Sequence, residues 1–91
     1  MVTPYTDELI DDTTKIRTFD PFNTHIDEYI WHRDKNDRVI TGLNGNGWKL
    51  QFDNELPFDI NKNDKIKIPK MVYHRIIPGK NKLRILINEN L

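Results

Sequence analysis

Two imidazoles and a carboxylate stand on two short segments of this chain, in His32-Arg33-Asp34 and at His74. Side chains alternate along an extended strand, so His32 and Asp34, two positions apart, point to one face. Imidazole nitrogen and carboxylate oxygen together suit a divalent cation. A greasy cup with a few inward polar groups at one end is a natural pocket for a metal or a small molecule. The bland alternatives are a His–Asp hydrogen bond, or an Asp34–Arg38 ion pair closing a hairpin mouth. Taken alone, His74 also reads as a satisfied histidine at the edge of a core.

Other residues could recognise a ligand. Arg38 and Arg75 offer forked guanidinium groups that grip a carboxylate or phosphate. Gln51 could add an oxygen ligand, yet it alternates with Trp48, Leu50 and Phe52, which favours an outward side chain. Trp48 is a candidate ligand wall on the opposite face. Tyr29, Trp31 and Tyr73 flank the His segments and serve either a dimer interface or a cover for a second sheet. His25, beside Asp27 and Glu28, gets no role beyond the surface.

Much chemistry is excluded. The 91 residues contain no cysteine, so thiolate sites and disulfides are ruled out. They contain no serine, so a serine triad is ruled out as well. No glycine-rich loop opens a helix to hold a phosphate. The 14 basic and 14 acidic side chains balance, which disfavours nucleic acid or a membrane surface as a bulk partner. No apolar run approaches the ~20 residues that span a bilayer. The N-terminal stretch lacks a basic flank and an apolar core, so a cytoplasmic protein is the expectation.

The charge is nevertheless uneven. Asp7, Glu8, Asp11 and Asp12 precede every basic residue, whereas Lys62, Lys65, Lys67, Lys70, Arg75, Lys80, Lys82 and Arg84 share only Asp64. This reads as solvated strand faces, or as an acidic arm that crosses a basic sheet in a homodimer.

The elements that must position the His residues are strands. Residues 1–14 read as an arm with one helical turn hinted at by Thr3-Pro4. Residues 15–91 read as one β domain. Strands are expected over 15–19, 28–34, 38–43, 48–52, 56–60, 65–68, 72–76 and 83–87, divided by turn signals such as Asn44-Gly45-Asn46-Gly47 and Pro78-Gly79. The expected core is Ile30, Ile40, Trp48, Leu50, Phe52, Ile66, Ile68, Val72, Ile76, Leu83, Ile85 and Ile87. Many short strands at this spacing predict an all-β fold, a small antiparallel sandwich or barrel.

The chain resembles the cupin family of small jelly-roll barrels. The second cupin motif runs Gly, five residues, Pro, one residue, Gly, two residues, His; here Asn63, Pro69, Met71 and His74 hold those places. The first motif expects His-x-His, a Glu and a later Gly; here His32, Asp34, Arg38 and Gly45 hold those places. The resemblance implies a divalent metal (Fe, Mn, Ni or Zn) bound by His32, Asp34 and His74, and a small organic acid or sugar as ligand. Arg38, which stays protonated and repels a cation, departs from the pattern. The alternative is a metal-free binding or interaction module. Whether such a protein is an enzyme, and which residues would then be catalytic, is left open at this point.

Overall fold

The computed structural model describes residues 5–22 and 29–90. His25, Thr3, Pro4 and the start of the expected 28–34 strand lie outside them. The described residues form eight strands and no α-helix. These are β1 (Tyr5–Leu9), β2 (Thr14–Phe19), β3 (Asp37–Asn44), β4 (Lys49–Phe52), β5 (Phe58–Asp59), β6 (Lys65–Ile68), β7 (His74–Ile77) and β8 (Leu83–Asn90). Among the described residues, no helix is long and apolar enough to cross a membrane.

The strands build two antiparallel sheets, one ordered β1-β2-β8-β3-β6 and one ordered β5-β4-β7. The period-2 apolar pattern explains why they face each other. Ile40, Ile68, Leu83, Ile85 and Ile87 from the first sheet share one core with Leu50 and Ile76 from the second and with Trp48, which precedes β4. Each fully buried side chain of this size contributes roughly 1.5–3 kcal/mol. Among the described residues the ring is open: β6 and β1 are edges of the large sheet, and no strand pairing joins the small sheet to it. The architecture is a jelly-roll sandwich rather than a closed barrel.

Close approach fixes the corners. A Cβ on Gly42 would collide with the Asn61 carbonyl oxygen, and β3 shifts register against β8 between Gly42 and Asn44. Trp48 is buried, packs at a tilt against Phe19 and Tyr29, and donates its indole N–H to the Asn81 carbonyl at 2.6 Å.

Three expectations are corrected. Tyr5–Leu9 is a strand paired along its length with β2, where a helical turn was expected. Its side chains are mostly exposed, so no apolar alternation marked it. The segment expected as the 28–34 strand contributes, among its described residues, only an isolated bridge between His32 and His74. Ile30 is accordingly 61% exposed rather than in the core. Phe52, Ile66 and Val72 are half-buried, whereas Phe19 and Ile60 join the core.

Candidate metal centre

The His32–Asp34 segment is tied backbone to backbone onto β7. His32 N–H donates to the His74 carbonyl at 3.0 Å, and His74 N–H returns a bond to the His32 carbonyl at 2.8 Å. Met71 N–H donates to the Asp34 carbonyl at 2.8 Å. This pairing sets His32 against His74, with ring centroids 4.3 Å apart in an edge-to-face arrangement.

The turn that delivers His74 spans the stretch whose spacing resembles the second cupin motif. Both positions where the motif has glycine are left-handed here, Asn63 at φ 71° and Met71 at φ 63°. Asn tolerates that region readily; Met does so at a cost. Two non-glycine residues thus hold a backbone that glycine adopts freely.

His32, Asp34 and His74 each direct one ligand atom to a common point, and these atoms lie within 4.8 Å of one another. The ring nitrogens are assigned by their partners. Nδ1 of His32 lies 2.8 Å from the Ile30 carbonyl, and Nδ1 of His74 lies 2.8 Å from the Val72 carbonyl. A carbonyl only accepts, so each Nδ1 carries a proton, and a neutral ring then holds its lone pair at Nε2. His74 is buried, and its Nε2 faces Asp34 Oδ2 at 3.3 Å. Two acceptors at that distance require a positive species between them, either an imidazolium proton or a metal cation. This donor set, anchored through carbonyls on the far side of each ring, fits a divalent cation.

The other oxygen of Asp34 is engaged differently. Arg38 Nη1 lies 3.6 Å from Asp34 Oδ1, and Arg38 Nε donates to Glu89 Oε1 at 3.0 Å. Burial pushes the Asp34 carboxyl up, but His74, Arg38 and His32 outweigh it and hold the group below the usual value of 3.8. The interior void beside His74 is only about 10 Å³, lined by Arg17, Arg38 and apolar side chains, room for about one water.

The remaining ligand candidates stand apart. Arg75 and Gln51 sit on the outer side of the small sheet, where Arg75 Nε donates to Gln51 Oε1 at 2.9 Å and its guanidinium lies 4.9 Å from the Trp31 ring. Gln51 Nε2 donates to the Glu55 carbonyl. The outward reading of Gln51 follows from its alternation with Leu50. Trp48 is core and does not line the void beside His74. Sequence reasoning missed Arg17, which is buried and lines that void. Its one signal was sharing a strand face with Phe19.

No protein-family model matches the chain, and no curated protein matches it. Solved structures do. A Neisseria meningitidis protein superposes with a TM-score of 0.70 at 18% identity, covering 100% of this chain and 89% of its own. A Bordetella pertussis cupin domain gives 0.62 at 18% identity, covering 100% and 99%. A cupin-2 domain protein of Shewanella frigidimarina gives 0.68 at 14% identity, covering 99% and 85%. With the second-motif turn and the paired sheets already in place, these likenesses show that the chain has the cupin fold.

Proposed function

We propose that this cupin-fold domain binds one divalent cation through His32 Nε2, His74 Nε2 and an Asp34 oxygen. The observation that carries this reading is His74 Nε2 set 3.3 Å from a buried carboxylate oxygen of Asp34, with His32 beside it. Such a pair needs a proton or a metal cation between its members, and a metal also engages His32. Fe, Mn, Ni and Zn all accept two imidazoles and a carboxylate. When bound, the metal supplies Lewis acidity at open positions. The small void leaves no interior room for a substrate, so an organic acid or sugar would approach from the half-exposed His32 side. The test is elemental analysis and calorimetric titration of untagged protein with Zn, Mn, Ni and Fe(II). One equivalent of bound metal, lost in His74→Ala, is expected. Substoichiometric metal unaffected by His32→Ala and His74→Ala would defeat the proposal.

One observation favours the second reading, a metal-free binding module. Arg38 places a guanidinium against Asp34, so the chain supplies its own cation to that carboxylate. In that reading Arg38→Glu creates metal affinity where the parent has none.

A homodimer is also proposed. Trp31 and Tyr73 stay 42% and 44% exposed on the outer side of the small sheet, each beneath an arginine. Aromatics with arginine are the composition of protein interfaces. Sedimentation at micromolar concentration checks it; a monomer mass contradicts it.

A further inference from the structure

Arg17 is the most buried arginine described in the fold, at 4% exposure. It stands on the inner face of β2 and lines the same void as Arg38 and His74, among Ile40, Ile68, Ile76, Ile85 and Ile87. Desolvating a guanidinium costs several kcal/mol, and an apolar residue would seal such a wall better. One of its partners is Asp7 of the edge strand β1. Nε donates to Asp7 Oδ1 at 2.8 Å and Nη2 to Asp7 Oδ2 at 3.0 Å, a forked grip on one carboxylate. The Tyr5 ring covers the guanidinium at 3.7 Å. Arg38 also acts on Asp7, adding to the pull that holds its carboxyl low.

The strand that brings Asp7 is weakly held. β1 pairs on one side only, its residues are mostly exposed, and Leu9 is 76% exposed. Segments of this kind open at low free-energy cost.

We propose that Arg17, with Arg38 beside it, is a binding site for a small carboxylate, and that Asp7 fills it as an exchangeable internal counter-ion. A ligand carboxylate replaces the two Asp7 oxygens on the fork, and β1 gives way. Its departure provides the room that the void of about 10 Å³ lacks. The isoleucine walls suit an uncharged remainder on the ligand. A carboxylate fits better than a phosphate, whose second charge adds desolvation cost in the same apolar wall. The site needs no metal at His32, Asp34 and His74, so it stands whether or not that centre binds one.

The test uses the full chain and sodium acetate as probe, against sodium chloride at equal ionic strength. In the parent protein, acetate should speed hydrogen exchange at the β1 amides and leave β3 and β8 unchanged. Asp7→Asn keeps the volume and removes the competing charge; its acetate affinity should rise about tenfold, as expected when an intramolecular competitor is removed. Arg17→Gln in the same background should abolish that gain. Unchanged β1 exchange overturns the proposal, as does Asp7→Asn binding acetate no tighter than the parent. A phosphate effect equal to that of acetate overturns the carboxylate assignment. Should Asp7→Asn fail to fold, the exchange experiment on the parent decides alone.

Discussion

Replacing Arg38 should strengthen cation binding at the His32–Asp34–His74 centre. The guanidinium is 3.6 Å from Asp34 Oδ1 and competes for the same carboxylate. A dication about 6 Å from a unit positive charge meets a repulsion on the order of 3 kcal/mol at an effective dielectric of about 40. Glu89, bonded to Arg38 at 3.0 Å, cancels part of it. A net gain of about 1.4 kcal/mol is the expectation, or tenfold in affinity for Arg38→Gln. Arg38→Glu supplies a further oxygen where the cupin pattern has its acid, and should gain more. Each variant leaves Glu89 without its partner and should lose roughly 1–3 kcal/mol of stability. The assay is competition with a chromophoric chelator for Zn on stripped, untagged protein, with a thermal melt to confirm folding. Unchanged or weaker binding in folded Arg38→Gln would refute the idea that this guanidinium limits the site.

Other consequences are as direct. His74→Ala removes a buried ring at 2% exposure, should abolish metal binding, and should cost roughly 2–4 kcal/mol in urea unfolding. Met71→Gly relieves the left-handed backbone at φ 63° and should stabilise by about 0.5–1 kcal/mol, net of the entropy a glycine loses on folding. For Asp7, burial raises the carboxyl, but the Arg17 hydrogen bond and charge, with Lys15 and Arg38, outweigh it; Asp7 and Asp34 both lie below 3.8. A depressed carboxyl contributes stability fully present above its unfolded pKa and lost as pH falls through its folded pKa. Stability should therefore drop below about pH 3.8, less steeply in Asp34→Asn, as acid-unfolding curves would show.

Much of the fold was legible because alternation is a local signal. Ile40, Leu50, Ile85 and Ile87 sit where period 2 puts them. The turn before His74 was legible only in part: the spacing matched the motif, but Met71 in a glycine place argued against the left-handed backbone that it nevertheless adopts. Three features were not legible. β1 carries polar side chains because one edge and both faces are largely open to water, which removes the alternating pattern. The segment around Ile30 is rich in β-formers, yet among its described residues it is docked by the His32–His74 bridge and the Met71–Asp34 hydrogen bond and not by a continuous ladder. Arg17 reads as a surface charge; only its parity with Phe19 and its distant partner Asp7 place it inside.

The most direct test of the central claim is long-range proton–nitrogen NMR of the two imidazoles as zinc is added. The account predicts protonated Nδ1 on both rings at the outset, and at one equivalent a joint shift of His32 Nε2 and His74 Nε2. Protons still on Nε2 at one equivalent of zinc, or zinc moving one ring without the other, would contradict it.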